Sequence, residues 1–345
     1  MRQRRAQWVL GTVLVVSAIG IAAGLAIHWF PPAASTQAKK IDTLYDVLII
    51  ASVPVFVLVA SMIVFSVIFF RMRPGQELQD GPPIHGNTRL EVVWTAIPAL
   101  LIAGLCTYAY VVLVDIEKKP AQAATREIRI QVTGQQFAWT FAYPKNVTGG
   151  KPLKTTQLVL PANRPVDFRI HALDVIHDFW VPAFRMKQDA VPGIETHYRI
   201  TPTRTGTYPV VCAELCGLGH GTMRSSVSVM PEAGFKKWLA RQLKPAVSAG
   251  GNPAQLAAAG KKLFNAQGCG GCHTLADAGT TAKVGPDLDK VLKTKDANFI
   301  KTSIVKPNAF IEKGYQPNIM PGSFGQTLQP DELNALVAYL KEVTG

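Results

Sequence analysis

Three long apolar runs before residue 115 constrain this chain most, because each is long enough to cross a membrane. They cover residues 8–30, about 45–70 and about 92–114. A hydrocarbon layer of about 30 Å needs roughly 20 helical residues. Arginines precede the first run and follow the second, so the positive-inside rule places the 71–91 loop in the cytoplasm. Everything after residue 115 is then expected on the outer side of the membrane.

The first apolar run has a second interpretation as a cleaved signal peptide. It is longer than an ordinary signal core, and its end at Ala33-Ala34-Ser35 is a weak cleavage site. Residues 1–40 are therefore predicted to be either a transmembrane helix or a signal peptide. Residues 41–118 are predicted to form a transmembrane helical hairpin.

The character of the sequence changes beyond the hairpin. Residues 119–242 hold short β-branched and aromatic segments separated by Gly and Pro, which predicts an all-β sandwich or barrel. Residues 243–254 read as a linker. Residues 255–345 look helical at both ends, and the spacing of Leu333, Leu336, Val337 and Leu340 fits one helix face. The chain is thus expected to be a multidomain membrane protein.

Charge narrows the choice of partners. The formal net charge is +13, which suits a membrane surface, an acidic partner or nucleic acid. The sequence lacks the basic helices and the interleaved aromatic and basic residues of a nucleic-acid module. We therefore expect no nucleic-acid partner.

Two thiolates, an imidazole and a thioether lie close together in the β-region, in Cys212-Ala-Glu-Leu-Cys216-Gly-Leu-Gly-His220-Gly-Thr-Met223. Soft sulfur and nitrogen ligands of this kind suit copper and disfavour magnesium or calcium. Two thiolates on one loop can bridge two copper ions, each of which then needs a terminal histidine. His220 supplies one, and His177 is the best candidate for the other.

Three alternatives stay open for these residues. A zinc knuckle could use two cysteines and two histidines, although it would leave Met223 unused. A disulfide between the two cysteines suits an oxidising compartment. His171 or His197 could take the place of His177 as a ligand.

A second constellation, Cys269-Gly-Gly-Cys272-His273, is the attachment pattern of a c-type haem. The two thiols add to the haem vinyl groups, and His273 ligates the iron. No histidine follows His273, and Met320 is the only methionine beyond residue 230. Met320 is therefore the predicted second axial ligand, with lysines as open competitors. A His/Met pair raises the iron potential and suits electron transfer.

These motifs carry a resemblance to a known family. Residues 42–232 resemble subunit II of the cytochrome c oxidase family, and residues 253–345 resemble a class I cytochrome c. The first resemblance rests on the copper-loop motif at 212–223 and on four further stretches, which are Asp174–His177 with Phe179–Pro182, Asp189–Gly193, Glu91–Pro98 and Gly134–Trp139.

The resemblance implies a fold and a set of site residues. The fold is an all-β cupredoxin-like Greek-key domain on transmembrane helices, followed by an all-α cytochrome c domain. Cys212 and Cys216 would bridge the two coppers of a CuA centre, with His177 and His220 as terminal ligands. Met223 and the backbone carbonyl of Glu214 would complete the coordination. The side chain of Glu214 would face subunit I near a bound Mg or Mn, and Glu91 would lie near the mouth of a proton path.

The sequence departs from the family at the site where an external donor would dock. The family carries a tryptophan in a Gly-x-Gln-Trp pattern, where this chain has Phe137, with Trp139 two residues on. Residues 115–245 hold 18 Lys and Arg against 10 Asp and Glu, and such a basic surface repels a basic donor. Phe137 and Trp139 are therefore candidate electron relays, and the fused haem is the expected acceptor for the donor.

The leading hypothesis is that electrons enter a terminal cytochrome c oxidase, a proton-pumping oxidoreductase, through this subunit. They would pass from a cytochrome c-type or other donor through haem c to CuA and on to subunit I, which would hold the oxygen-reducing site. Subunit III is a further expected partner, and a prokaryotic plasma membrane is the expected location. The alternative is a free-standing membrane-anchored electron carrier. Glu91 and Glu214 argue against it, because they make sense only beside a membrane partner.

Overall fold

A computed structural model describes residues 2–72, 74–75, 83, 85–119, 127–150, 153–243, 252–322 and 324–345. The chain divides into two compact units. The first unit comprises Met1–Pro31 and Lys39–Lys118, and the second comprises Pro32–Ala38 and Lys119–Gly345.

The first unit is built from three helices, α1 (Arg2–Ala26), α2 (Thr36–Phe70) and α3 (Thr88–Glu117). Each contains a stretch long and apolar enough to span a membrane, with mean hydropathy of 2.3, 2.9 and 2.2. Phe56 and Phe70 illustrate why a lipid environment is needed, since they are 74% and 76% exposed. The three predicted apolar segments are confirmed as helices long enough to span a membrane, although α2 begins at Thr36 rather than at about residue 45.

Two features of the sequence set the geometry of these helices. Gly20 and Gly24 of α1 lie one turn apart against Val53 and Ile49 of α2, where an added Cβ would come within 2.9 Å of either side chain. Small residues of this kind let two membrane helices approach closely. Helix α3 begins at the N-cap Asn87, whose side chain accepts a hydrogen bond from the Leu90 amide.

The second unit opens with a β-sandwich. One sheet has the strand order β3-β2-β1-β5-β8, and the other has the order β4-β10-β9-β6-β7. The strands are β1 (Ile128–Gln135), β2 (Ala138–Tyr143), β3 (Leu153–Thr155), β4 (Leu158–Pro161), β5 (Val166–Ala172), β6 (His177–Trp180), β7 (Lys187–Ala190), β8 (Thr196–Ile200), β9 (Gly206–Cys212) and β10 (Arg224–Met230). A short helix α4 (Lys145–Thr148) follows β2, and α5 (Glu232–Gln242) follows β10.

The sandwich core is aromatic. Inward and outward residues alternate along β1 and β2, as expected for strands with one buried face. Phe179 lies at the centre, with its ring centroid 5.3 Å from Trp139, 5.4 Å from Phe168 and 6.2 Å from Tyr198. Edge-to-face and stacked pairs of this kind add about 0.5–1.5 kcal/mol each beyond the area they bury. The core is therefore a rigid support for the strand ends that it joins.

The segment Pro32–Ala38 belongs to this sandwich although it follows α1 in the sequence. Ala34 is fully buried, its amide donates to the Ala183 carbonyl at 2.8 Å, and its carbonyl accepts from the Thr203 amide at 2.8 Å. The Ser35 hydroxyl donates to the Phe184 carbonyl. Residues 32–35 thus run along the sandwich as an added strand-like stretch, and α2 begins directly after them at Thr36.

The helical part of the second unit contains α6 (Pro253–Ala266), α7 (Leu288–Val291), α8 (Ala297–Val305), α9 (Phe324–Thr327) and α10 (Pro330–Thr344), with a hairpin of β11 (Thr274–Leu275) and β12 (Thr280–Thr281). Helices α6 and α10 touch at Gly260, where an added Cβ would lie 2.1 Å from the Ala335 carbonyl oxygen. A capping box between Gln329 and Glu332 begins α10. Its predicted apolar face is confirmed, since Leu333, Leu336, Val337 and Leu340 are buried.

Candidate metal centres

The copper-type ligands lie at one end of the sandwich, where adjacent strands end or begin. His177 is the first residue of β6, and Cys212 is the last residue of β9. The two strands pair through Phe179 and Cys212, which brings the two ligands side by side. The loop after β9 then carries Cys216 and His220 back over the same end before β10 begins.

The six predicted donor atoms form one connected cluster. The Cys212 sulfur lies 3.9 Å from His177 Nδ1, 3.2 Å from the Glu214 carbonyl oxygen and 3.8 Å from the Cys216 sulfur. The Cys216 sulfur lies 3.6 Å from His220 Nδ1 and 3.8 Å from the sulfur of Met223. A sulfur–sulfur distance of 3.8 Å is far beyond the roughly 2.05 Å of a disulfide. The two cysteines are therefore not joined by a disulfide in this structure, and both sulfurs are available as ligands.

The donors divide into two groups around the two sulfurs. His177 and the Glu214 carbonyl adjoin Cys212, while His220 and Met223 adjoin Cys216. His177, Cys212 and Cys216 have ligand atoms all within 4.8 Å of one another, and in the described part of the chain His220 does not join that group. A single tetrahedral zinc would draw four donors around one point. Two shared sulfurs with a separate histidine on each side fit two ions.

A hydrogen-bonded support holds the two halves of the cluster together. His177 Nε2 lies 2.9 Å from Oδ1 of Asp174, which leaves Nδ1 directed at Cys212. Oδ2 of Asp174 accepts from the Gln136 amide at 2.7 Å, and the Gln136 side chain donates to the Cys216 carbonyl at 2.6 Å. Supports of this type fix the tautomer and orientation of a metal-binding histidine.

The thiols in this cluster resist carrying two negative charges at once. Burial opposes ionisation of Cys212, but hydrogen bonds to His177 and to neighbouring backbone groups outweigh it and lower the Cys212 pKa. Burial and the adjacent Cys212 charge both raise the pKa of Cys216. Two thiolates at this spacing require cations between them, and bound copper ions would supply that charge.

Phe137 and Trp139 pack directly against the cluster. The Phe137 ring covers the loop after Cys216, so that a Cβ added at Gly219 would lie 2.5 Å from the ring. The Trp139 ring centroid lies 5.9 Å from that of His177, edge to face. Phe137 is 9% exposed and Trp139 is 1% exposed. Both candidate relays are therefore positioned as packing partners of the ligand loop.

The haem-type residues also come together. Cys269, Cys272, His273 and Met320 line one cavity of about 680 Å³. His273 Nδ1 donates to the Pro286 carbonyl at 2.9 Å, which leaves Nε2 free to bind a metal. A Cβ at Gly285 would lie 2.6 Å from the His273 ring, so only glycine fits there. The residues present fit a covalently held haem with His and Met as axial ligands.

Burial governs protonation in this cavity. It lowers the pKa of His273 against a weaker opposing effect of the hydrogen bond to Pro286, so the imidazole is held in its neutral, ligating form. Burial raises the pKa of both Cys269 and Cys272. The raised pKa values favour the protonated form of both thiols at neutral pH.

The haem cavity extends onto the β-sandwich. Phe137, Trp139, Thr156 and Arg224 contribute to its lining beside the cytochrome residues. The Thr156 hydroxyl lies 2.6 Å from the side-chain oxygen of Gln267, the C-cap residue that follows α6. Ile319, next to Met320, packs against the hydrophobic core of the sandwich. The same aromatic turn thus covers the copper-type loop and closes part of the haem cavity.

The remaining predicted residues lie elsewhere. Glu91 is in the first turn of α3, where its carboxylate accepts a hydrogen bond from the Asn87 amide. The Glu214 side chain acts electrostatically on buried Asp178, whose pKa is raised first by burial and also by nearby Asp189 and Glu214. His171 contacts Thr133 and Gln131 on the adjacent strand and is not in the ligand cluster.

Four residues of this region had no role in the sequence-based interpretation. Asp174 and Gln136 lie in motifs quoted from the sequence. Asp174 precedes the ligand candidate His177 by three positions, and Gln136 directly precedes Phe137. A polar side chain at each of these places is a sequence signal for a residue that supports the site. Thr156 and Gln267 are 111 positions apart in the sequence, and no local pattern connects them.

Comparison with known protein families covers most of the chain. The family model for the transmembrane domain of cytochrome c oxidase subunit II matches residues 22–112, and that for its periplasmic domain matches residues 152–230. The cytochrome c family model matches residues 257–344. The copper-type loop and the haem-type motif each fall inside the corresponding match.

Individual proteins give the same picture. Cytochrome c oxidase subunit 2 of Thermostichus vulcanus is 33% identical over 280 residues, covering 67% of this chain and 84% of that protein. Cytochrome c oxidase subunit 2 of Alkalihalophilus pseudofirmus is 30% identical, covering 89% of each. Among solved structures, the periplasmic domain of cytochrome oxidase subunit II from Bradyrhizobium japonicum is 28% identical, with a TM-score of 0.32, covering 35% of this chain and 96% of that one.

Proposed function

This chain belongs to the cytochrome c oxidase subunit II family and carries a C-terminal cytochrome c domain, and we propose that it passes electrons from a donor through haem c to a binuclear CuA centre. From there the electrons would enter subunit I for oxygen reduction. The observation that carries this proposal is the shared turn at Phe137–Trp139, which packs on the copper-type loop and lines the haem cavity.

The copper centre would be held by all six donors described above. Cys212 and Cys216 would hold the ions together with His177 and the Glu214 carbonyl, which adjoin Cys212, and with His220 and Met223, which adjoin Cys216. When bound, such a pair of ions accepts and releases one electron shared over both metals. Asp174 and Gln136 orient the ligands, and the aromatic core keeps the strand ends rigid.

The haem would be attached through Cys269 and Cys272. The His273 imidazole is oriented by its hydrogen bond to the Pro286 carbonyl, and His273 and Met320 would be the side chains that ligate the iron. When bound, the haem supplies a one-electron carrier whose potential the thioether ligand raises. Phe137 and Trp139 exclude water between the two sites, because both side chains are buried. Each packs against the copper-type ligand cluster and also lines the haem cavity. Their low exposure supports a role as the medium through which an electron passes.

The finer parts of the assignment concern the membrane partners. Glu214 would place its side chain against subunit I near a Mg or Mn ion, and its charge is one of those that add to burial in raising the pKa of Asp178. Glu91 would lie near a proton path, although in this unit it also serves the start of α3. Subunit III is a further proposed partner, and a prokaryotic plasma membrane is the proposed location.

Helix α1 is proposed to be retained as a third span. Cleavage at Ala33-Ala34-Ser35 would create a charged amino terminus at a point where Ala34 is fully buried and hydrogen-bonded. Burial of an unpaired charge is strongly unfavourable. Amino-terminal sequencing of the protein purified from membranes is expected to read residues of α1 rather than to begin at Ala34 or Ser35.

Truncation tests the proposed electron path. A chain ending before about residue 250 should still assemble copper in the purified oxidase, with two ions per chain and a seven-line mixed-valence EPR signal. Turnover with a cytochrome c-type donor should fall strongly, while small reductants still drive the enzyme. One zinc per chain, or equal turnover by the truncated and full-length enzymes, would contradict the proposal. In a separate variant, Cys216→Ser removes one of the two cysteine sulfurs and should abolish the mixed-valence EPR signal.

A further inference from the structure

The loop that carries Met320 covers residues 310–322 and ends before α9. Its first part is a turn, in which the Tyr315 amide donates to the Glu312 carbonyl at 3.1 Å and Gly314 adopts a φ of 93°. Beyond this turn, the described part of the loop contains no helix or strand. A side chain on such a segment keeps a fixed position only when other parts of the fold hold the backbone.

Asn308 holds this loop at Asn318 through two hydrogen bonds. Its Oδ1 accepts from the Asn318 backbone amide at 2.8 Å, and its Nδ2 donates to the Asn318 side-chain oxygen at 2.6 Å. One amide group therefore meets a donor and an acceptor of the same residue, which fixes the orientation of both side chains. The contact lies two positions before Met320 in the sequence, so it acts on the backbone next to the ligand candidate.

The backbone at Asn318 sends the next two residues to different parts of the protein. Asn318 adopts a left-handed φ of 62°, which asparagine tolerates better than most residues. Ile319 then packs against the hydrophobic core of the sandwich, and Met320 packs against that of the cytochrome domain. A change in the backbone at Asn318 would therefore move the Met320 sulfur.

Asn308 itself lies on a firmly packed element. It is the middle residue of a 3-10 turn, Pro307–Ala309, which follows the C-cap of α8. Helix α8 is anchored in the cytochrome core by the buried side chains of Ile300 and Ile304. The two hydrogen bonds thus fix the loop to the end of a packed helix.

We propose that Asn308 is a positioning residue for haem ligation, because its two bonds to Asn318 hold Met320 against the cytochrome core. The inference rests on the proposed role of Met320 as an iron ligand and adds the group that keeps its loop in place. Without these bonds the Met320 side chain is unchanged, but local opening of the loop costs less free energy. An external ligand would then displace the methionine sulfur more readily.

Imidazole is the probe for loop opening, because it takes the iron position that Met320 vacates. The full-length chain with its haem attached and oxidised would be titrated with imidazole at fixed pH, and the shift of the main haem absorption band gives the apparent Kd. Asn308→Ala removes both hydrogen bonds. We expect about fivefold tighter imidazole binding, which converts to about 1 kcal/mol. This is the lower end for two ordinary hydrogen bonds, since water can replace part of the lost contact.

Two variants of Asn318 separate the hydrogen bonds from other effects of substitution. Asn318→Asp keeps the backbone amide, an acceptor oxygen and tolerance of positive φ, so its imidazole affinity should stay close to that of the unaltered protein. Asn318→Gly keeps the backbone bond and loses the side-chain bond, and it should bind imidazole about twofold tighter. If Asn318→Asp binds imidazole as tightly as Asn308→Ala does, the two bonds do not hold the loop.

A general loss of stability is the alternative explanation for tighter binding. Gly260→Ala is the matched control, because its new Cβ would strain the contact of α6 with Ala335 on α10 and leaves residues 308–320 unaltered. It should lower the midpoint of thermal unfolding without changing the imidazole affinity. Equal tightening in Gly260→Ala and Asn308→Ala would show that loosening of the whole domain, rather than loss of the Asn308 contact, is measured.

The Met–iron band at the red end of the oxidised spectrum separates this inference from the proposed function. The band should be present in the unaltered protein and in Asn308→Ala before imidazole is added. Its absence from the unaltered protein would overturn the assignment of Met320 as a ligand, and the positioning role with it. Its presence, together with imidazole binding by Asn308→Ala that is no tighter than in the unaltered protein, would overturn the positioning role alone.

Discussion

Asp174→Asn is the substitution that most directly tests how the copper ligands are held. Oδ1 of the native carboxylate accepts from Val175 N–H at 2.7 Å and lies 2.9 Å from His177 Nε2, while Oδ2 accepts from Gln136 N–H at 2.7 Å. Asparagine has the same shape but only one oxygen. Whichever way the amide turns, its NH₂ group faces a donor, and one side of the support is lost.

The expected loss of copper affinity follows from the contact between Asp174 and the ligand candidate His177. Loss of such a supporting carboxylate typically lowers metal affinity about 10- to 100-fold, which corresponds to about 1.4–2.8 kcal/mol. The Asp174 side chain is 26% exposed, so water can replace part of the lost contact. We therefore expect the lower end of the range, about tenfold.

Copper release from the purified full-length protein into a competing chelator measures this affinity, with the mixed-valence EPR signal as the readout of intact centres. Glu195→Gln is the matched control, because it removes one carboxylate charge from the same sandwich at a 51% exposed side chain paired with Arg169. Release of copper at the same chelator concentration from both variants would show that Asp174 does not support His177. A broadened or altered EPR signal without copper loss would show that it positions the ligand without adding affinity.

Three further predictions concern the cytochrome domain. Met320→Ala should remove the Met–iron band at the red end of the oxidised optical spectrum and lower the haem potential while covalent attachment survives, and an unchanged band would identify another ligand. Gly260→Ala should destabilise the domain by about 1–3 kcal/mol, measured as a lower midpoint of thermal unfolding, because the new Cβ would lie 2.1 Å from the Ala335 carbonyl oxygen. Hydrogen bonds from Tyr339 and Lys261 lower the pKa of Asp277, so this stabilisation is present above the ordinary aspartate pKa of about 3.9 and is lost as pH falls through the folded value. Because Asp277 is largely exposed, Asp277→Asn should cost below about 1 kcal/mol at neutral pH, and a cost that persists in acid would contradict the assignment.

The parts of the structure that could be predicted from sequence are those encoded by short spacings. Cys212, Cys216, His220 and Met223 sit on one loop, and Cys269–His273 is a contiguous motif, so ligand chemistry was readable before any fold was known. The three spans followed from length and hydropathy alone. Selection of His177 over two other histidines needed the family motif, and strand pairing between β6 and β9 gives its physical reason.

Other features depend on tertiary contacts that no local pattern encodes. Pro32–Ala38 has no strand-like alternation, yet it is fixed on the sandwich by hydrogen bonds to residues about 150 positions away, such as the bond from the Ser35 hydroxyl to Phe184. The contact between Thr156 and Gln267 likewise joins two domains through two uncharged side chains. Such contacts are decided by packing, and their residues have no composition or periodicity that marks them.

The arrangement of the haem cavity gives a physical reason for the replacement of the family's tryptophan by Phe137. In a subunit that receives electrons directly at its copper domain, the residue above the ligand loop must serve an external partner. Here that residue is 9% exposed and faces a cavity belonging to the same chain. An apolar ring without a hydrogen-bond donor is adequate for a permanent internal contact, where shape and exclusion of water matter more than recognition. Recognition of the donor would then move from the copper-type loop to the cytochrome domain.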